Sequence, residues 1–353
     1  MLGKKGGVAS RLKELSPALQ AVHCTAHRLE LAFKDAVKNV ALCNTVNSLL
    51  LNLYLFYKNS SKNRSSLKEA ADAVGVPQLF PTRVGGTRWL PHLQRALENF
   101  LRGYHAITTQ LHQLQAQPGV TTDARAKAKG YLKQLQRKDV VLFAHFMLDV
   151  VTVLSKVSLT AQRSQSTVAD VVASIDMSLT TLKKYRSKKS SPRLQNFDDT
   201  FNSGEFELTG SDNIEAGLVQ LVDGLESSLL GRFDDMNDEV LAAMQILSFT
   251  FWPQEHEADE DFGDEAVQTL RHHFEAVLKD AGVVVDALGV EWDLLKARMY
   301  AKKNKKDHPW ATTIPELKEE LPNICALMDL LLSIPASSAE AERGFSRLKL
   351  VKS

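Results

Sequence analysis

The run HCTAH at residues 23–27 puts two imidazoles and a thiol within five positions. Cys24 and His27 stand in a C-x-x-H spacing, and thiolate and imidazole are ligands that zinc prefers. Two ligands do not close a tetrahedral site, and Cys43 and Cys325 supply no matching pair, so no zinc centre is expected. By type alone, Cys24 reads as a core residue and His27 as part of a helix start. A second place is GGTRWLPH at 85–92. Arg88 offers the planar fork of donors that suits phosphate, and an indole such as Trp89 can stack on an unpaired base. A tryptophan that anchors a loop to the core has the same local composition. The third place is SSAEAERGFS at 337–346. Glu342 is a carboxylate in a run of small residues, which suits an acid, a ligand or a plain surface charge beside Arg343. The basic runs RSKKSSPR (186–193) and KKNKK (302–306) can contact phosphate or direct nuclear import, and they equally suit solvated linkers. The sequence carries no Ser/His/Asp arrangement, no phosphate-cradling glycine loop and no calcium-binding loop motif.

Helical periodicity dominates the elements that must position these residues. Residues 8–15 read as a short helix closed by Ser16-Pro17. Residues 17–24 read as a short buried strand. Leu29, Ala32, Phe33, Ala36, Val37 and Val40 then follow a 3.6-residue period, which predicts a long helix that continues, with a kink, towards residue 58. In 79–93, Pro81, Gly85-Gly86 and Pro91 argue against regular helix and for short extended pieces. Helical spacing returns from Leu93 onward. Residues 139–162 form a strongly apolar helix or helix pair, 167–185 an amphipathic one, and 214–233 a helix with the stripe Leu218, Leu221, Val222, Leu225 and Leu229. Further helices are expected at 266–282, at 292–300 and twice within 313–335. At the end, a helix started by Pro335 and capped by a serine would present the narrow face Ala339–Glu342–Phe345.

The 353 residues suffice for one large or two to three ordinary domains. Three cysteines cannot build a disulfide framework, which points to a reducing compartment. The apolar runs read as too short or too polar to span a bilayer, and the first residues lack the apolar core of a signal peptide. The net charge of +1 hides an asymmetry. Residues 1–197 hold 29 Lys and Arg against 11 Asp and Glu, whereas residues 198–266 hold one against 19. Such a division suits a polyanion-binding surface with an acidic flank, and it equally suits self-neutralisation within the fold.

Four stretches, taken in order, are more telling than any alone. GKKGGVASRLKE, HCTAHRLELA, TRW and SIPASSAEAERGFS resemble the characteristic blocks of the hAT superfamily of DNA transposases. The nearest likeness is to vertebrate proteins derived from such elements, the zinc-finger-862-like and related hAT-dimerisation group. The resemblance covers about the first ninety residues and the last forty. It implies a mostly α chain with a partial α/β part, an incomplete RNase H-like core interrupted by a large all-α insertion. The segments would be 1–100 (partial RNase H-like), 101–300 (helical insertion with acidic loops) and 301–353 (C-terminal dimerisation segment).

The resemblance also implies a metal site of two aspartates and a glutamate, in which paired cations activate the attacking oxygen and stabilise the leaving one. Glu342 takes the place of the glutamate, His27 lies by the scissile DNA, and Trp89, after Arg88, stacks a base. In the family the second aspartate stands just ahead of the block that begins here at Met1. Both aspartates would thus fall upstream, the family's BED-type finger is missing from these residues, and Asp35 comes in the wrong order to substitute. One carboxylate cannot hold two magnesium ions, so the expectation is a non-enzyme without metal or cofactor, with Glu342 vestigial. The chain then reads as a truncated or domesticated remnant. Its C-terminal region would associate with itself or with another hAT-derived protein through Leu331, Leu332, Ile334, Phe345 and Leu348. DNA binding through His27, Arg88 and Trp89 is the alternative. Neither a membrane nor a small-molecule substrate is expected, and the nucleus is the expected location, with the cytoplasm as the alternative.

Overall fold

A computed structural model gives the fold and describes residues 7–85, 89–163, 166–187, 190–197, 207–255, 261–302, 304–305 and 308–351. The chain begins with α1 (Val8–Leu15), α2 (Thr25–Lys38), α3 (Ala41–Lys58) and α4 (Ser61–Val74). Next come α5 (Trp89–Arg102), α6 (Tyr104–Ala116), α7 (Thr122–Leu135), α8 (Lys138–Gln162) and α9 (Val168–Lys184). They are followed by α10 (Pro192–Gln195), α11 (Glu215–Phe233), α12 (Glu239–Ala243), α13 (Asp264–Asp280) and α14 (Leu288–Ala301). The chain closes with α15 (Trp310–Leu317), α16 (Pro322–Leu332) and α17 (Ala339–Val351). The mostly α reading is what the structure shows. Among the described residues the only β pairing is an isolated bridge between Arg137 and Thr209.

The strand expected within 17–24 is therefore not formed. Residues 17–18 form a turn and 19–24 have no regular structure, and the segment meets a histidine and a loop instead of a neighbouring strand. The His273 imidazole Nε2 lies 3.2 Å from the Ala18 carbonyl and 3.0 Å from the Gln20 amide nitrogen. Thr25 donates its hydroxyl to the Ala336 carbonyl at 2.8 Å. The kinked helix also resolves differently, because α2 and α3 are separate helices that turn by 108° across Asn39 and Val40.

The chain divides into two units, each assembled from separated stretches. The first comprises Met1–Arg28, Val157–Met177 and Gly231–Ser353, and the second Leu29–Lys156 and Ser178–Leu230. In the second unit, α3 buries Val46, Leu49, Leu50 and Leu53, while α5 buries Leu90, Leu93, Leu97 and Phe100. Two buried tyrosine hydroxyls there are paired, Tyr57 with Gln110 Oε1 at 2.8 Å and Tyr104 with the Leu135 carbonyl at 2.7 Å. The stripe of α11 is buried as expected, and two of its glycines permit close approach. A Cβ on Gly224 would sit 3.4 Å from the Ala36 Cα, and one on Gly217 would meet the Phe143 ring at 3.0 Å.

Helix α8 corrects the membrane reading of the sequence. It is long and apolar enough to cross a bilayer, yet 78% of its most apolar window is buried within the protein. That is the state of a core helix, where Phe143, Phe146, Val150 and Leu154 need protein neighbours and not lipid.

In the first unit the core is aromatic. Trp252, Trp292 and Trp310 are buried and each indole N–H has an acceptor: the carbonyls of Ile246 (2.8 Å), Phe262 (3.1 Å) and Leu247 (2.6 Å). Lys296 is buried beside them, its ammonium 2.7 Å from Asp264 and 3.2 Å from Asp293. The Asp264 pair, with Lys183 and Arg186 on Glu226 in the second unit, shows acidic-segment carboxylates neutralised locally.

Candidate functional site

Two of the telling sequence blocks meet in the first unit, although they lie 311 positions apart. Thr25, inside HCTAHRLELA, gives both its hydroxyl and its backbone N–H to the Ala336 carbonyl, at 2.8 and 3.4 Å. Thr25 is itself buried. Beside it, Arg28 is buried and forks onto both carboxylate oxygens of Asp235, and its Nε donates to His23 Nδ1 at 3.1 Å. Burial, then Arg28 and His27, hold the His23 imidazole below its ordinary pKa. A ring that accepts at Nδ1 carries its proton on Nε2, where it can only donate. The His27 ring meets His23 edge-on at 6.1 Å and is exposed on the first turn of α2. Cys24 is a free, half-buried thiol.

The C-terminal block continues the same cluster. Ser337 donates its hydroxyl to the Ala161 carbonyl at 2.5 Å, and Arg343 Nη1 donates to the Gln162 carbonyl at 3.1 Å. Both carbonyls belong to the last turn of α8, where no intrahelical donor remains, so a hydroxyl and a guanidinium close that helix. Glu342 is exposed and accepts from the Ser338 hydroxyl at 2.8 Å, one turn back at the start of α17. The helix begins at Ala339, so Pro335 lies upstream of it and does not start it. Among the described residues no three His, Cys, Asp or Glu side chains converge as a metal site.

Trp89 belongs to the second unit, whereas His27 belongs to the first. Trp89 opens α5, four residues earlier than the sequence suggested. Glu30 of α2 accounts for this early start, because its carboxylate accepts from Trp89 N at 3.0 Å and Leu90 N at 3.1 Å. A carboxylate at a helix N-terminus satisfies orphan donors and suits the helix dipole. Pro91 then falls in the first turn, where its missing N–H is no loss. The indole is half-buried and packs edge-on against Phe33 at 5.4 Å. Arg88 lies outside the described residues.

The apolar residues assigned to association separate into two groups. Leu331 is 1% exposed and belongs to the core with α16, and Leu332 and Ile334 are half-buried. On α17, Phe345 is 71% and Leu348 55% exposed.

Sequence reasoning missed the carboxylates that organise the helix starts. Asp149, on α8, accepts from the Ser191 hydroxyl (2.5 Å) and Arg193 N (2.9 Å) at the start of α10. Glu291, on α14, accepts from Asn323 N and Ile324 N, both at 2.8 Å, at the start of α16. The legible signal was a proline in each first turn, Pro192 and Pro322 like Pro91, but each acceptor is distant in sequence. No family model matches the chain, and no solved structure matches it.

Proposed function

We propose that this chain is a non-catalytic, hAT-derived interaction protein that associates with a second copy, or with a related chain, through α17. The observation that carries the reading is the pair Phe345 and Leu348, three positions apart on one helix and left in water by their own chain. The hAT ancestry is supported by the order of the four blocks and by the Thr25–Ala336 hydrogen bond that joins two of them. With that ancestry goes the descent of residues 1–100 from an RNase H-like core interrupted by an all-α insertion. The non-catalytic part is supported by Glu342, which stands in solvent at a helix start and accepts a hydroxyl.

Light scattering of the full chain across a concentration series tests the proposal. The mass should rise above the 39.2 kDa of one chain. Phe345→Asp combined with Leu348→Asp should hold it at one chain and weaken association by more than about tenfold, since each buried anchor is worth roughly 1.5–3 kcal/mol. Both side chains are exposed, so the double variant should fold. A wild-type chain that stays monomeric at every concentration sinks the reading. Deleting residues 311–353 would be a poor test, because it removes the buried Ile314, Leu327, Met328 and Leu331.

A second reading, nucleic-acid binding, is favoured by the excess of 29 cations over 11 anions in residues 1–197 and by the exposed His27. It requires binding that weakens steeply with salt, because phosphate contacts release counterions. A Trp89→Ala protein with unchanged single-strand affinity would remove base stacking from that reading.

A further inference from the structure

The first unit contains a cavity of about 820 Å³. It lies among the last turn of α8, the first half of α9, residues 247–250, the start of α15 and Leu332. This volume is within the range of small-molecule sites, roughly 300–1,000 Å³. One wall is aromatic. Phe249 and Trp310 stack with centroids 4.9 Å apart and planes 28° from parallel. The Trp310 N–H already donates to the Leu247 carbonyl, so the indole offers the cavity its ring and no free donor. Met177, an exposed thioether that adapts to the shape of a ring, lines the same space.

The polar groups of the lining are unequal. Asp170 accepts from the backbone N–H and the hydroxyl of Thr167, both at 2.9 Å, and so closes the start of α9. Arg163 is exposed and its guanidinium has no ion-pair partner among the described residues. Ser248 is 1% exposed, and its hydroxyl makes no hydrogen bond. A buried hydroxyl without a partner carries a desolvation penalty that a ligand atom can remove.

We propose that this cavity binds a small, flat aromatic carboxylic acid that also carries a hydroxyl. The ring lies against Phe249 and Trp310, the carboxylate meets Arg163, and the hydroxyl pairs with Ser248. The site is independent of the association surface on α17.

The test uses the full chain and three fluorescent probes: 6-hydroxy-2-naphthoate, 2-naphthoate without the hydroxyl, and 2-naphthol without the carboxylate. The first should bind saturably with a dissociation constant on the order of 0.1 mM, as expected for about fourteen heavy atoms. Arg163→Gln should weaken both carboxylates about tenfold and leave 2-naphthol unchanged, the loss expected of one charged contact. Ser248→Ala should weaken the hydroxylated probes several-fold and raise the melting temperature of the free protein, because an unmet hydroxyl disappears. A merely structural serine would lower the melting temperature instead. Ala311→Trp fills the mouth from an exposed position and should abolish binding of all three probes, with the helical circular-dichroism signal retained. Absence of saturable binding up to 1 mM, or binding that survives Ala311→Trp, overturns the site. Binding indifferent to Arg163→Gln overturns the carboxylate assignment.

Discussion

Helices α16 and α17 adjoin in sequence and both lie in the segment read as an association region, yet they do opposite things. Helix α16 buries Ile324, Cys325, Leu327, Met328 and Leu331, and its first turn is held by Glu291 from another helix. Helix α17 starts on its own Ser338 and Glu342 and leaves Phe345 and Leu348 in solvent. The difference teaches that an apolar residue in such a segment is an anchor for a partner only where its own chain has not already used it. Leu331 and Phe345 are alike on paper and unlike in energy.

The widest gap between the two helices should be in stability. Leu331→Ala should destabilise the chain by about 2–5 kcal/mol, the usual cost of a cavity at a fully buried leucine. Leu348→Ala should change it by less than about 0.5 kcal/mol, because the side chain is already in water. Urea denaturation of both variants at a protein concentration where the chain is monomeric compares them. Equal losses would break the comparison and return α17 to the core.

Next comes the way each helix begins. Glu291→Ala leaves the N–H groups of Asn323 and Ile324 without their acceptor and should cost about 2–3 kcal/mol. Glu291→Gln keeps an acceptor oxygen and should recover part of that loss. The same experiment on Glu30 asks whether α5 follows the rule of α16, with Trp89 N and Leu90 N as the orphaned groups. A Glu291→Ala protein as stable as wild type would show that water replaces the carboxylate and that α16 is less buried than described.

A smaller effect is expected where α17 is tied down. Arg343→Ala removes the donor to the Gln162 carbonyl, and Ser337→Ala removes the donor to Ala161. Each should cost about 1 kcal/mol, an ordinary net hydrogen bond. The two act on neighbouring carbonyls of one helix end, so the double variant should deviate from additivity. Additive losses would mean that the two contacts are independent and that the end of α8 does not move as one piece.

Much of this architecture was legible in the residues and some was not, for physical reasons. Helical periodicity marked α2, α9 and α11, because a helix that buries one face must repeat it. The run at 17–24 does not form the expected strand, since a short apolar stretch after a helix has the same pattern whether or not a neighbouring strand exists; here His273 meets Ala18, and Ala336 meets Thr25 just beyond the run. Pro91 was read as a helix breaker because the sequence does not show that Glu30 would cap the turn ahead of it. The residues proposed for association can be chosen by type but not by exposure, which depends on neighbours far along the chain. The cavity beside Ser248 was invisible, for its walls come from four separated stretches.

The smallest expected effect falls on the residue with the strongest ancestral claim. Glu342 is exposed and accepts from the Ser338 hydroxyl at 2.8 Å, one turn towards the N-terminus of α17. A carboxylate near a helix start gains a few tenths of a kcal/mol from the dipole and about as much from its neighbour one turn away. Glu342→Ala should therefore lower stability by no more than about 0.5–1 kcal/mol, read as a small drop in urea midpoint. A metal-binding glutamate would act otherwise. Its carboxylate would repel other acidic ligands in the free protein, and the cation would stabilise the fold progressively as its concentration rises above its dissociation constant. Magnesium titration followed by thermal melting separates the two cases. A melting temperature that magnesium raises in wild type but not in Glu342→Ala would restore Glu342 to a metal site and break the contrast between a buried α16 and an exposed α17. A melting temperature indifferent to magnesium in both proteins leaves Glu342 as a helix-start carboxylate, on a helix whose exposed apolar residues are Phe345 and Leu348.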